Sequence, residues 1–310
     1  MSLFCFDNEQ QWLEVKAFDL TSTEVSALLG VSEYKSRFRL WNEKSGLIEN
    51  DFEDNPFTKW GRRLQNSVAL GICEDEGWKC YDLFLNYAQI KHLKIGASMD
   101  HRVVCEDRGV GLLEIKTTSF FSEQNGWEKD KAPIDYECQL QTQLHVCKAN
   151  GVDFDFGAIG ALDGRKNTKI YFRKYDPAFG EMLEREAALF WESVEKGTPP
   201  DPDYIADGDV IEKLMPETRA GEKRILTGNE EAEKALKEWQ DAGEKLKELR
   251  KTIKELEDIQ KAAKNNILRL IGDAETVKIG NMIINTKEQE TADKVIYGSR
   301  FRRFDVKTSK

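Results

Sequence analysis

Three charged side chains near the middle of the chain are spaced for phosphodiester chemistry that depends on a metal ion. Glu114 and Lys116 lie two residues apart, and alternate residues of a strand share one face. Asp100 is expected on the partner strand of the same hairpin, so two carboxylates and an ammonium group would converge there. Carboxylates are the ligands that Mg²⁺ prefers, and the backbone carbonyl of Ile115 could add another oxygen. Lys116 would favour the deprotonated form of an attacking water.

The segment around these charges, Gly111–Thr118, is otherwise largely apolar. Charged groups in such a strand are costly unless they are paired or functional. Two interpretations therefore remain open from the residues alone: a solvated face of salt bridges, or an active site that uses Asp100, Glu114 and Lys116 together.

Hydrophobic periodicity predicts the elements that would position these charges. A Thr21-x-x-Glu24 capping box begins a short helix that Gly30 ends. Further helices are predicted over about 38–46, 56–73, 136–148 and 179–194, and hairpins over 91–116 and 154–175. His101 and His145, which lie close to these elements, are expected to be structural.

The chain after residue 205 differs in kind. We predict a first domain over 1–205, a polar linker over 206–228, a helical segment over 229–273 and a small β tail over 274–310. Apolar residues from 235 to 270 alternate spacings of three and four, as in a heptad repeat that only Gln260 interrupts. This pattern predicts one long helix or a helical hairpin broken near Gly243. Its apolar face could lie on its own domain, pair with another copy or bind a partner.

Two short patterns are predicted in the β tail. One is a hairpin that turns at Gly280-Asn281, and the other is a terminal strand that ends in Arg300-Phe301-Arg302-Arg303-Phe304.

The composition excludes several classes of protein. With 46 basic and 56 acidic residues, the net charge of −10 argues against a cationic coat for DNA or membranes. None of the six cysteines forms C-x-x-C, so free thiols are expected rather than a zinc or iron–sulfur site. No apolar stretch approaches the roughly 18 residues that span a bilayer, and no secretion signal is visible. We therefore expect a soluble cytoplasmic protein.

Five motifs occur in a recognisable order. They are Trp12-Leu13-Glu14-Val15-Lys16 followed by Leu20-Thr21-Ser22-Thr23-Glu24-Val25, then Trp60-Gly61-Arg62-Arg63-Leu64-Gln65, Asp100, Glu114-Ile115-Lys116 and Tyr136-Glu137-Cys138-Gln139. In this order the sequence resembles the YqaJ-type viral recombinases, the phage lambda exonuclease family, within the PD-(D/E)xK nuclease superfamily. The resemblance covers about residues 10–205.

The resemblance implies an α/β, restriction-endonuclease-like αβββαβ core, with a central mixed sheet flanked by helices. It implies digestion of double-stranded DNA from 5′ ends with Mg²⁺, for which Mn²⁺ could substitute. A ring-shaped homo-oligomer, typically a trimer, and a single-strand annealing protein as partner are also implied. Such a protein would be encoded by a phage or prophage and would act in the bacterial cytoplasm.

The resemblance also implies roles for individual residues. Asp100 and Glu114 would hold the metal, Lys116 would activate water and Gln139 would orient groups near the site. The positions that match the pocket for a 5′-terminal phosphate are Lys16, Thr23 and Ser98.

One position departs from the family pattern, because Gln65 stands where the family usually has Glu. The neutral amide is a poorer metal ligand than a carboxylate. This departure keeps a second function open, that of a DNA-end-binding scaffold with weak catalysis that assembles through its C-terminal helical segment.

Basic and aromatic residues could bind DNA outside the site. Clustered charges suggest a basic channel, to which Lys35, Arg37, Lys59, Arg62 and Arg63 would contribute. Phe120, Phe121 and Trp127 follow the Glu114–Lys116 strand, where they could stack on a DNA end or anchor the loop.

Overall fold

The computed structural model describes residues 3–5, 9–50, 55–83, 86–215, 221–286 and 305–308. Contacts divide the chain into two compact units, Met1–Glu217 and Thr218–Lys310. The strands of the first unit are β1 (Leu3–Cys5), β2 (Leu20–Thr21), β3 (Lys79–Asp82), β4 (Asn86–Ile90), β5 (Ile95–Ser98), β6 (His101–Cys105), β7 (Gly109–Thr118), β8 (Phe156–Asp163) and β9 (Thr168–Arg173). Its helices are α1 (Glu9–Ala17), α2 (Val25–Leu28), α3 (Arg37–Lys44), α4 (Pro56–Glu76), α5 (Ile134–Ala149), α6 (Pro177–Lys196) and α7 (Gly208–Leu214).

A five-stranded mixed sheet forms the centre of the first unit, with strand order β3-β6-β7-β8-β9. β7 and β8 are parallel and are connected through α5, whereas the other neighbours are antiparallel. Read along the chain, α4, β3, β6, β7, α5 and β8 give the αβββαβ order, so the predicted fold class is confirmed.

The strand alternation of β7 gives the sheet two different faces. Leu113 and Ile115 pack in one cluster with Ile72 of α4. Leu112 packs in the other cluster with Leu140 of α5. Glu114 and Lys116 therefore lie on the α5 side, within an apolar layer.

A second sheet has strand order β1-β4-β5-β2, and its strands β4 and β5 lie in the chain between β3 and β6. The prediction of one hairpin over 91–116 is therefore wrong for β5, which pairs with β2 and β4. Only β6 and β7 form that hairpin. Asp100 lies between β5 and β6 and not on a strand of the hairpin. The chain leaves one sheet at Ser98 and enters the other at His101, a change that strand alternation alone does not reveal.

The ends of the longer helices follow from their capping residues. Asn55 accepts a hydrogen bond from the Thr58 amide at the start of α4, and Pro56 occupies its first turn. Gly77 ends that helix in the left-handed conformation, with φ +70°. At the start of α6, Asp176 accepts a hydrogen bond from the Ala178 amide, and Gly197 ends that helix in the left-handed conformation.

The first unit extends beyond the predicted boundary at residue 205. Residues 208–214, which were assigned to the polar linker, form α7, and the side chain of Val210 is fully buried. Val210 packs with Phe38 and Ile48 in a small apolar cluster. Ser36, the capping residue of α3, donates a hydrogen bond to Asp207 just before α7. Val210 thus lies on the buried face of a helix, within a segment that is otherwise mostly polar.

The second unit contains α8 (Glu230–Ile271), β10 (Thr276–Ile279), β11 (Met282–Asn285) and β12 (Asp305–Thr308). α8 is continuous through Gly243, so the alternative of a broken helical hairpin is wrong. The strands form an antiparallel sheet in the order β10-β11-β12, with the predicted turn at Gly280-Asn281. The predicted terminal strand through 300–304 lies outside the described residues. No helix in the described part of the chain is long and apolar enough to cross a membrane.

Truncation of Val210 tests whether α7 belongs to the first unit. Val210→Ala removes buried methyl groups and leaves a cavity, so we expect the free energy of unfolding to fall by about 2 kcal/mol. Thermal or urea unfolding of the first unit measures this change. Ile205→Ala is the matched control, because Ile205 is 95% exposed and its truncation should leave stability unchanged. Equal stability of the two variants would show that α7 does not pack as described.

Candidate active site

The structure brings Glu114, Lys116 and Gln139 into direct contact. Lys116 Nζ donates hydrogen bonds to Glu114 Oε1 at 2.7 Å and to Gln139 Oε1 at 2.9 Å. Gln139 Nε2 in turn donates to Glu114 Oε1 at 2.6 Å. These bonds form a closed triangle in which each side chain fixes the other two, so the carboxylate and the ammonium group hold one geometry.

Asp100 joins this cluster from the junction between the two sheets. Its Oδ2 accepts a hydrogen bond from the backbone N–H of Ile115 at 2.9 Å, which ties Asp100 to the middle of β7. Burial and the nearby Glu114 carboxylate raise the pKa of Asp100 well above its usual range, although Lys116 opposes that rise. Two carboxylates and one ammonium group therefore share a buried space, so ionisation of both carboxylates would leave one negative charge that Lys116 does not compensate.

Gln143, which the sequence reasoning missed, holds the other oxygen of Glu114. Its Nε2 donates to Glu114 Oε2 at 2.7 Å and to the carbonyl of Ser98 at 2.8 Å. Gln139 and Gln143 lie four residues apart on α5, so both amides face the same strand. That spacing was the signal available in the sequence. Through Gln143, the end of β5 is connected to the middle of β7.

Lys116 is held as a cation. Burial would lower its pKa, but Glu114 and Asp100 outweigh that effect and the pKa of Lys116 is raised. Its Nζ also lies 4.8 Å from the centre of the Tyr136 ring, where the electron-rich face stabilises positive charge. At neutral pH Lys116 can therefore donate hydrogen bonds and stabilise negative charge, but it does not serve as a base.

The donor set at this position fits a divalent cation bound by oxygen. Among the described residues there is no group of three or more His, Cys, Asp or Glu side chains that could hold a metal. An ion would therefore depend on Asp100, Glu114 and a neutral oxygen such as the carbonyl of Ile115. Mg²⁺ commonly binds through one or two carboxylates and keeps several waters. The uncompensated charge between Asp100 and Glu114 is what such a cation would neutralise.

Gln65 stands apart from the hydrogen bonds of this cluster. It is half-buried on α4, one turn after Gly61, whose Cβ position would lie 3.5 Å from Thr117 Oγ1 of β7. α4 packs on the opposite face of the sheet from Glu114. The cluster described above is complete without Gln65.

Lys16 and Ser98 are joined through Trp12 of α1. Trp12 Nε1 donates a hydrogen bond to Ser98 Oγ at 3.0 Å, and Lys16 Nζ lies 3.9 Å from the centre of the Trp12 ring. Burial lowers the pKa of Lys16 to about 8, although Glu24 and Glu114 oppose the shift. Ser98 also accepts the Gln143 hydrogen bond through its carbonyl, so this group borders the Asp100–Glu114 site.

Thr23 belongs to a neighbouring turn that Glu24 organises. Thr21 Oγ1 lies 3.1 Å from Thr23 Oγ1 and donates to Glu24 Oε2 at 2.9 Å. Lys44 forms an ion pair with Glu24 at 2.9 Å. Burial would raise the pKa of Glu24, but Lys44 and the Thr21 amide outweigh it and lower that pKa. Sequence reasoning missed Lys44, since nothing in its helix marks it as the partner of Glu24.

Two of the residues assigned to a basic channel are engaged in ion pairs within the protein. Lys35 pairs with Glu43 at 2.5 Å, and Arg37 pairs with Glu186 at 3.2 Å. Lys59, Arg62 and Arg63 are instead exposed along α4, and the Arg63 guanidinium lies 5.2 Å from the centre of the exposed Trp60 ring. Of the five residues predicted to line a basic channel, the three exposed ones therefore lie on α4.

Trp127 anchors the loop that follows β7. It is buried against Phe121, Tyr136 and Tyr171, with ring centres 5.3 to 5.9 Å apart. The loop-anchoring interpretation of Trp127 is thus confirmed. His101 and His145 are also buried, and His145 Nδ1 lies 2.8 Å from the Tyr175 hydroxyl.

Comparison with known proteins matches residues 11–150 to the YqaJ-like viral recombinase domain. The uncharacterized protein YqaJ of Bacillus subtilis (strain 168) is 25% identical over 97% of this chain and 94% of its own length. An alkaline exonuclease from Laribacter hongkongensis has a TM-score of 0.46 and 18% identity, covering 65% of this chain and 98% of the exonuclease. A phage related exonuclease from Haemophilus somnus 129PT has a TM-score of 0.43 and 12% identity, covering 57% and 94%.

The lowered pKa of Lys16 can be measured directly. We expect amine acylation of Lys16, followed by mass spectrometry over a pH series with a chelator present, to reach half of its maximum near pH 8. The control is the same residue in the urea-unfolded chain, where a lysine titrates at about 10.4. Coincident profiles in the folded and unfolded chain would contradict the burial of Lys16 beside Trp12.

Proposed function

We propose, from the similarity of residues 11–150 to the YqaJ-like viral recombinase domain, that the protein is a metal-dependent exonuclease acting on linear double-stranded DNA. It would hydrolyse phosphodiesters in the 5′-to-3′ direction and leave 3′ single strands for phage-type recombination. The observation that carries the proposal is the buried cluster of Asp100, Glu114 and Lys116, which Gln139 and Gln143 hold in place.

Asp100, Glu114 and the Ile115 carbonyl would hold Mg²⁺, which Mn²⁺ could replace. A bound divalent cation supplies Lewis-acid stabilisation of the charge that develops on the phosphate oxygens. Lys116 would donate a hydrogen bond to the attacking water and stabilise its deprotonated form, since its raised pKa keeps it cationic. Gln139 would keep the Lys116 ammonium group directed at this position, and Gln143 would do the same for the Glu114 carboxylate.

The direction of digestion would be set by the neighbouring polar group of Lys16, Thr23 and Ser98. A terminal 5′-phosphate is an anion with several acceptor oxygens, which an ammonium group and hydroxyl groups can bind. Trp12 and Gln143 connect Ser98 to the Lys16 side chain and to Glu114, respectively. An end bound there would set which phosphodiester reaches the Asp100–Glu114 site.

The double-stranded substrate would contact the basic surface of α4, where Arg62 and Arg63 are exposed beside Trp60. We further propose a ring-shaped homo-oligomer, such as a trimer, around the DNA and a single-strand annealing protein as partner. The protein would act in the cytoplasm of a bacterial host as part of a phage or prophage.

A second candidate function rests on Gln65. This position offers an amide where the resemblance leads us to expect a carboxylate, so the chain lacks one candidate metal ligand. The alternative is a DNA-end-binding scaffold with weak catalysis that assembles through its C-terminal helical segment. Turnover separates the two functions, since a scaffold would bind ends without hydrolysing them.

Digestion of linear duplex DNA with Mg²⁺ tests the proposed function. We expect loss of one strand from its 5′ end, about tenfold faster for 5′-phosphorylated than for 5′-hydroxyl ends. A 5′-hydroxyl end lacks the phosphate that would accept a charge-assisted hydrogen bond from Lys16. Lys116→Ala should lower the rate roughly 100-fold or more, and a chelator should abolish it.

End binding measured in Ca²⁺, which commonly supports binding without hydrolysis, is the control that each variant still recognises DNA. Intact end binding without turnover in the native chain would favour the scaffold, and Gln65→Glu would then be expected to raise activity. Digestion that is insensitive to Lys116→Ala would reject the assignment of the site.

Gln143 should act as a positioning residue for Glu114. Gln143→Leu keeps a similar volume but removes both hydrogen bonds of its Nε2, so we expect kcat to fall about 10- to 100-fold with little change in DNA binding. Gln141→Leu is the matched control, since Gln141 lies on the same helix and its hydrogen bonds among the described residues go to the Lys174 carbonyl and the Asp176 amide. An equal loss in both variants would indicate general damage to α5 instead of an effect on Glu114.

A further inference from the structure

The helix α8 carries a long apolar seam that is exposed along its length. The seam runs from Ala232 to Leu270, and the spacing between successive seam positions alternates between three and four residues. Leu246, Leu249, Ile253 and Leu256 are each between 51% and 60% exposed, and Trp239 is 75% exposed. A contiguous apolar stripe of this kind marks an interaction surface.

The length of α8 and its exposed apolar stripe argue against a helix that stands free in solvent. Its 42 residues extend over about 63 Å at a rise of roughly 1.5 Å per residue. Within helices of this type most stability comes from packing of the apolar face and not from intrinsic propensity. Only Ile271, at its C-terminal end, is buried among the residues of α8. The stripe therefore needs a partner of similar length and complementary side chains.

We propose that α8 pairs with α8 of a second copy of this chain as an antiparallel two-stranded coiled coil centred on residue 251. In this register the sequence numbers of facing residues sum to 502. The central layers pair Leu246 with Leu256 and Leu249 with Ile253. The whole seam from 232 to 270 is then used, because the centre of the seam coincides with the centre of the helix.

Side-chain sizes support this register. Away from the centre, each small residue of one copy faces a larger residue of the other. The outer facing pairs are Ala242 with Gln260, Trp239 with Ala263, Ala235 with Ile267, and Ala232 with Leu270. Knobs-into-holes packing favours such large–small complementarity, since it fills each layer without voids or overpacking. A parallel, in-register pair would instead stack Trp239 on itself and set alanine against alanine at 235, 242 and 263.

Charge supports the antiparallel direction. The first half of the helix, residues 230–250, has seven acidic and five basic residues, a net charge of −2. The second half, residues 251–271, has three acidic and five basic residues, a net charge of +2. Antiparallel pairing sets each acidic half beside a basic half and opposes the two helix dipoles. Parallel pairing would set like halves together and would bring Lys245 towards Arg250 of the other copy.

The direction of pairing can be tested by disulfide trapping in the full-length protein. Two differently sized tagged versions carry Trp239→Cys and Ala263→Cys, and they are mixed and oxidised. We expect a mixed disulfide between the two versions, at a yield several-fold above that of Trp239→Cys oxidised alone. The native chain, treated in the same way, gives the background from its own cysteines. Preferential linkage of Trp239→Cys to itself would overturn the antiparallel register, because parallel pairing places those residues together.

Light scattering tests whether the seam makes the contact at all. Leu249→Lys with Ile253→Lys puts two charges into the central layers, and we expect the molar mass to fall about twofold, because the two-fold contact joins either two single chains or two of the proposed rings. The control is Ala262→Lys with Asn265→Lys, which adds the same charge to α8 outside the seam and should leave the mass unchanged. Both native residues of the seam variant are more than half exposed, so the change does not disturb a buried core. An unchanged mass in the seam variant would overturn the proposal.

Discussion

The buried carboxylate of Glu114 is the constraint on which the first unit depends. A carboxylate in an apolar layer is stable only if its charge is paired and its oxygens accept hydrogen bonds. Lys116 supplies the charge, and Gln139 and Gln143 supply amide donors. These partners come from one strand and one helix, so the packing of α5 on β7 brings together the groups that this single side chain needs.

The same group of contacts connects the two sheets of the first unit. Gln143 bonds to Ser98 at the end of β5, and Asp100 bonds to the Ile115 amide in the middle of β7. Trp12 extends the connection from Ser98 to Lys16 through its indole. The proposed site for hydrolysis and the proposed pocket for a DNA end therefore share hydrogen bonds, and a shift of one sheet against the other would change both.

Sequence patterns predicted the parts of the structure that depend on local rules. Apolar periodicity predicted α4, α5 and α6, and strand alternation put Glu114 and Lys116 on one face. Alternation did not show that the chain changes sheets between Ser98 and His101, because both sheets continue the same pattern. Gln143 and Lys44 were missed since their partners are distant in sequence, and a polar side chain does not indicate its partner. α7 was overlooked because one turn of apolar residues in a polar segment resembles a linker.

The parallel pairing of β7 with β8 has a consequence for the order in which the protein folds. β8 follows β7 only after the connecting segment and α5, so this pairing closes a long loop and forms late, as non-local strand contacts do. During synthesis from the N-terminus, Asp100, Glu114 and Lys116 leave the ribosome before the helix that carries Gln139 and Gln143. A nascent chain therefore carries Asp100, Glu114 and Lys116 unassembled, and the proposed capacity to hydrolyse DNA would arise only when the first unit is complete.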